Sequence, residues 1–113
     1  MTAPTRVTLS PALAGLLGLA RRAGQLIGGF EAVRRELMRG RMALVLVDEE
    51  LSDNTLAKVR GAAAAARVPV VTVAAAAGKP GLNRQFGKKI LALHSGSMAD
   101  GIVNTLKQEH QWR

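Results

Sequence analysis

Apolar residues return along this chain with two alternating periods. Leu13, Leu16, Leu17 and Ala20 recur at the spacing of one helical face. Ser10-Pro11 gives that helix a cap and a first-turn proline. Arg21-Arg22 suit its negative end, and Gly24 closes it. A short extended run, 25–28, leads to a second helix over 29–39. Its apolar face is Phe30, Val33, Leu37 and Met38, and Gly40 ends it. Ala43–Val47 is an unbroken apolar run, the mark of a strand buried on both faces. Ser52 or Asp53 caps a third helix that turns Leu56, Val59, Ala63 and Ala66 inward, and the alanines at 62–66 favour it. Val68–Val73 is the next buried strand. After a loop with the Pro80-Gly81 turn signal come a short helix over 82–86, a strand over 89–93 and a last helix over 97–108. In that helix Met98, Ile102, Val103 and Leu106 point inward. Residues 1–8 and 109–113 carry no such pattern and are expected to be loose.

Strands that alternate with helices define an α/β class. The expected architecture is one domain over 1–113, a three-layer α-β-α sandwich around a small, mixed, four-stranded sheet. A chain of 113 residues suits a single core.

Charge changes the picture from fold to partner. Sixteen Lys and Arg against eight Asp and Glu give a net charge of +8. That excess favours phosphate-rich partners and salt-sensitive association. No helix joins a basic face to a Trp/Phe-rich one, which argues against a membrane partner. Residues 61–78, the longest apolar stretch, hold Arg67 and Pro69, so no transmembrane helix is expected. There is no cysteine, which excludes disulfides, thiolate metal sites and cysteine nucleophiles and fits a cytoplasmic location. The aromatic residues are only Phe30, Phe86 and Trp112, too few for a base-stacking platform. RNA would be read by backbone shape and a few splayed bases.

The segment that best fits such a partner is 24–39. Gly28-Gly29 allows close approach of a backbone, because no Cβ intervenes. The helix that follows offers unpaired N–H donors in its first turn. Arg34, Arg35 and Arg39 add fixed positive charge, and Arg35 and Arg39, four apart, share a face. Glu31 can pair with Arg34 or Arg35. A second basic cluster is Lys88 and Lys89, where the helix at 82–86 gives way to the strand at 89–93, with Arg84 and Lys79 nearby.

Other chemistry is thinner. Asp48-Glu49-Glu50 ends a buried strand, where open α/β sheets bind ligands. These acids support a third-ranked reading, an enzyme using Mg²⁺, and also suit a polar turn that starts the next helix. His94 with Ser95, Ser97 and Asp100 lacks the nucleophile-elbow pattern of a hydrolase. No phosphate-binding loop or dinucleotide fingerprint is present. No cofactor and no catalytic activity are expected.

The run Leu16-Leu17-Gly18-Leu19-Ala20-Arg21-Arg22-Ala23-Gly24-Gln25-Leu26-Ile27-Gly28-Gly29 carries a family resemblance. Val45-Leu46-Val47, Asn54-Thr55, Val68-Pro69-Val70 and Phe86-Gly87-Lys88 follow in order. Over about residues 10–107 the chain resembles the kink-turn-binding ribosomal protein family of the L-seven-Ae/L-thirty-e type, in its bacterial YlxQ-like branch. The resemblance implies an α-β-α sandwich that binds RNA through the loop and helix after its first strand. It matches the family glycine to Gly29 and the basic residue six later to Arg35. The family's Asn-Glu pair falls on Glu31 and Ala32, and its frequent Lys before the strand falls on Gln25. The apolar loop after Phe86-Gly87 is shortened to Lys88-Lys89.

The expected interface is therefore Gln25, Gly28, Gly29, Phe30, Glu31, Ala32, Arg34, Arg35, Arg39, Lys88 and Lys89. Its expected partner is structured RNA, ribosomal or nascent, with ribosomal or transcription-factor proteins as companions. The alternative is a protein-binding adaptor of the transcription and translation machinery with weak, nonspecific RNA affinity.

Overall fold

The computed structural model describes residues 6–110. Ten elements follow one another: β1 (Arg6–Leu9), α1 (Pro11–Arg22), β2 (Leu26–Gly28), α2 (Phe30–Met38), β3 (Met42–Asp48), α3 (Asp53–Ala65), β4 (Val70–Ala75), α4 (Leu82–Phe86), β5 (Ile90–His94) and α5 (Ser97–His110). The sheet has five strands in the order β1-β4-β3-β5-β2. β1 and β3 run parallel to β4, while β5 runs antiparallel to both β3 and β2. The sandwich and its mixed sheet match the sequence reading, but the strand count is five, not four.

The added strand comes from the segment expected to be loose. Arg6–Leu9 alternates exposed and buried positions, and Val7 and Leu9 enter the core. The end of α5 holds this strand in place. The Thr8 amide donates to His110 Nε2 at 3.0 Å, and the Ser10 hydroxyl donates to the Glu109 carboxylate at 2.9 Å. Residues 109 and 110 are thus part of α5 rather than loose. Residues 1–5 and 111–113 lie outside the described residues.

The sheet separates two apolar layers. Leu13, Leu17 and Ala20 of α1, Leu82 of α4, and Ile102 and Leu106 of α5 pack on Leu44, Leu46, Val71, Val73, Leu91 and Leu93. Val33 and Leu37 of α2, with Val59 and Ala63 of α3, cover Val45, Val47, Ile90 and Ala92 on the other face. Alternate residues of β3 and β5 therefore serve opposite layers, as a doubly covered strand requires. A register shift between Met42 and Leu44 interrupts that alternation, and Ala43 packs in the same layer as Leu44. One expected core position fails: Met38, the last residue of α2, is exposed.

The caps follow the sequence. Ser10 Oγ accepts from the Leu13 amide and Ser52 Oγ from the Thr55 amide, which decides between Ser52 and Asp53. Among the described residues no helix is long and apolar enough to cross a membrane.

Candidate nucleic-acid interface

β2 and β5 are neighbours, and the end of β2 lies beside the start of β5. Gly28 pairs with Leu91, and the Gly29 amide extends the ladder by donating to the Ile90 carbonyl at 2.9 Å. The sheet thus brings Gly28-Gly29 and Lys88-Lys89 together, although Gly29 and Lys88 are 59 positions apart in the sequence. A Cβ on residue 28 would stand 2.8 Å from Lys88 Cγ and 3.1 Å from Leu91 Cδ2. The Lys88 stem therefore crosses the bare face of Gly28. Its ammonium reaches onward, 4.0 Å from where a Cβ on Gly29 would lie. This revises the role of the glycine pair: Gly28 seats the protein's own lysine, and only Gly29 remains open to a partner.

The strand segment 88–90 is fixed from both sides. Gly87 ends α4 in the left-handed region (φ 75°), and its amide donates to the Asn83 carbonyl at 2.7 Å. The Asp48 amide donates to the Lys89 carbonyl at 2.8 Å. Lys88 and Lys89 leave this anchored backbone as exposed side chains.

Gly29 also opens α2. It sits at φ 96° and ψ 146°, a region open essentially to glycine alone. Its carbonyl takes the first helical bond, from the Val33 amide at 3.0 Å. Glycine at the cap supplies no side-chain acceptor, so the first-turn amides of Phe30, Glu31 and Ala32 have no side-chain cap. Phe30 packs partly buried in the α2–α3 layer. Glu31 is tied back to Arg34, whose Nε lies 3.3 Å from its carboxylate.

The arginines of α2 divide. Arg34 pairs with Glu31 and Arg39 with Glu36 at 2.9 Å. Among the described residues Arg35 has no acidic partner, and it stands exposed. Arg39 caps the far end of α2, about 13 Å from its first turn at 1.5 Å per residue. Gln25 is also remote from the corner. It precedes β2, its carbonyl accepts from the His94 amide, and it lines a polar recess with Arg41, His94 and Ser95. The corner thus gathers Gly28, Gly29, Lys88 and Lys89 with the start of α2, and leaves Gln25 and Arg39 at the other end.

One neighbour was not foreseen. The Arg21 guanidinium lies 5.2 Å over the ring of Phe86, which immediately precedes Gly87 and Lys88. Nothing in the spacing of α1 signals this, because the contact depends on how α1 and α4 share a layer. Arg84, counted with the basic cluster, lines a recess with Asp48, Glu49 and Glu50.

The acids of that recess already have structural partners. Asp48 is 4% exposed. Its Oδ1 accepts from the Glu50 amide at 2.8 Å and its Oδ2 from the Asn83 amide at 2.9 Å. Glu49 accepts from Arg6 at 2.6 Å and from the Ala75 amide at 2.7 Å. Asp48 is a cap that ties the end of β3 to α4. Among the described residues no three His, Asp or Glu gather as a metal site would require.

A mixed sheet between two helical layers, with a glycine-capped helix at the β2–β5 corner, defines the class of fold. A Bacillus halodurans protein of unknown function shares it with a TM-score of 0.71 and 24% identity, over 87% of this chain and 99% of that one. The Giardia lamblia 15.5kD RNA binding protein shares it with a TM-score of 0.65 and 14% identity, over 91% of this chain and 88% of that one. No protein-family model matches the chain. In sequence it is 33% identical over 94 residues to the RNA-binding protein YlxQ of Bacillus subtilis, across 80% of this chain and 91% of that protein. The chain belongs to the YlxQ family.

Proposed function

We propose that this protein is a non-catalytic, cytoplasmic RNA-binding protein that grips structured RNA at the Lys88 corner. The observation that carries the reading is the seating of Lys88 across Gly28, which holds an ammonium beside the uncapped first turn of α2. A phosphate there meets amide donors, the positive end of the helix dipole and a fixed cation together. Arg35 and Lys89 extend the positive surface, and Arg21 extends it past Phe86. The net charge of +8 and membership of a family whose Bacillus subtilis member is named an RNA-binding protein support the same reading.

The RNA we favour is ribosomal or nascent, with a kink-turn or an internal loop. With no stacking platform, the corner reads the shape of a backbone rather than a run of bases. Competition between a kink-turn RNA and a straight duplex of equal length, at one salt concentration, tests this. The wild-type protein should prefer the kink-turn, and Lys88→Ala should weaken both complexes. Equal affinity for the two RNAs would reduce the reading to a nonspecific basic surface.

A further inference from the structure

The surface carries an apolar trough remote from Lys88. α2 and α3 lie side by side, and their C-terminal halves leave a cavity of about 440 Å³. Leu37 and Met38 line it from α2, Ala62, Ala65 and Ala66 from α3, and Arg34 borders it. The alanines cause the trough: they let the helices meet but carry no atoms beyond Cβ to fill the space. Met38 is 78% exposed, and the only other large exposed apolar side chain among the described residues, Leu19, belongs to the opposite layer. A methionine at such a rim is long, unbranched and polarizable, and it repacks readily around an incoming apolar group.

Charge selects the occupant. The acids of α2 are already engaged, Glu31 by Arg34 and Glu36 by Arg39. Arg67 directly follows Ala66 of the lining, and Arg41 directly follows Gly40 of the lining and borders the adjoining recess with Gln25 and His94; both are exposed, and among the described residues neither has an ion-pair partner. A trough with an apolar floor and arginines at the helix ends suits an amphipathic helix whose apolar stripe is flanked by Glu or Asp. A second copy of this chain would bring its own +8. RNA would find neither hydrogen-bond donors nor aromatic rings on a floor of Leu, Met and Ala. We propose that the α2–α3 trough docks an acidic amphipathic helix of a partner protein, with aliphatic side chains entering beside Met38. The proposal is independent of the RNA reading.

Methyl-detected NMR of the full chain tests it with two synthetic helical peptides of equal length and equal negative charge. One carries leucines along a single face, and the other has serines in their place. The leucine peptide should bind at least tenfold more tightly and shift the methyl signals of Met38, Ala62, Ala65 and Ala66. Met38→Glu, at an exposed position, should weaken it about tenfold. Ala65→Leu, which fills the trough, should do the same. Lys88→Ala should leave peptide binding unchanged, so failure of the RNA reading and failure of this one are separable. Equal affinity for both peptides would overturn the proposal. So would shifts confined to other methyls, concentration-dependent shifts of the trough methyls without peptide, which would mean a second copy, or shifts of the same methyls on adding a kink-turn RNA.

Discussion

Lys88 lies where a side chain on Gly28 would begin: a Cβ there would stand 2.8 Å from Lys88 Cγ, well inside van der Waals contact. The pairing of β2 with β5 creates this relationship, and it makes the glycine and the lysine one unit. If the unit grips RNA, substitutions at the two positions must not add. Lys88→Ala should weaken binding and lower the salt slope by about 0.7–0.9 for the lost phosphate contact. Gly28→Ala should displace the lysine stem and weaken binding to a similar extent. In the Lys88→Ala background, Gly28→Ala should have little further effect on affinity. Filter binding at four salt concentrations, with melting temperatures of all four proteins, reads the cycle. Full additivity would separate the two residues.

The arginines of α2 should be unequal. Arg34 is held by Glu31 and borders the trough, whereas Arg35 is exposed and, among the described residues, has no ion pair. Arg35→Ala should therefore cost RNA affinity and lower the salt slope, and Arg34→Ala should cost much less. Circular dichroism of both variants should match wild type, because exposed helical positions tolerate alanine. A larger loss with Arg34→Ala would reverse the assignment.

Gly29 carries a different demand from Gly28. Its φ of 96° strains any L side chain, even though the space around it is open. Gly29→Ala should destabilise the fold by about 1–3 kcal/mol, the scale for a residue forced into a sparsely populated region. Chemical denaturation measures this directly. A neutral substitution would mean that the β2–α2 turn adopts another conformation at no cost.

Asp48 accepts from two amides, Asn83 of α4 and Glu50 of the turn after β3. In Asp48→Asn the amide group must face one of those N–H donors and leave it unsatisfied. The expected loss is about 1–3 kcal/mol of stability, with RNA affinity little changed. The melting temperature should respond to Mg²⁺ no more in wild type than in the variant. A magnesium-dependent rise abolished by Asp48→Asn would favour the metal-enzyme reading.

The helices were legible in the sequence because their signals are local. Ser10-Pro11 and Gly24 bracket α1, Gly40 follows α2, and the apolar faces of α1 and α5 repeat every three or four residues. β1 was not, because four residues give only two apolar positions and its pairing with β4 depends on contacts some 66 residues away. The use of Gly28 by Lys88 was hidden for the same reason. Gly-Gly before a helix announces freedom of backbone, but which neighbour uses that freedom is decided by the sheet order. Arg35 was legible as a cation. That Glu31 would take Arg34 rather than Arg35 was left open by a spacing that allows either.

The last prediction concerns what the corner reads beyond charge. In the kink-turn family the resemblance places Asn and Glu where this chain has Glu31 and Ala32. An amide can both donate and accept, whereas Glu31 can only accept, and its charge opposes nearby phosphate even while Arg34 partly offsets it. Ala32 offers no hydrogen-bonding side chain. Preference for a kink-turn over a duplex should thus be present but reduced. Glu31→Asn with Ala32→Glu should raise kink-turn affinity more than duplex affinity, by roughly 1–3 kcal/mol for each restored contact, by analogy with bidentate base readout in DNA. Glu31→Asn also releases Arg34, while Ala32→Glu places a new carboxylate three residues before Arg35, so binding to both RNAs shifts through charge as well. The informative quantity is therefore the ratio of affinities, not either one alone. Glu31→Gln serves as the control, since it removes the charge and frees Arg34 but sets the amide one methylene too far out. The double substitution should raise the ratio and Glu31→Gln should leave it near the wild-type value. An equal rise in both variants would trace the effect to charge and end the case for base reading at residues 31 and 32.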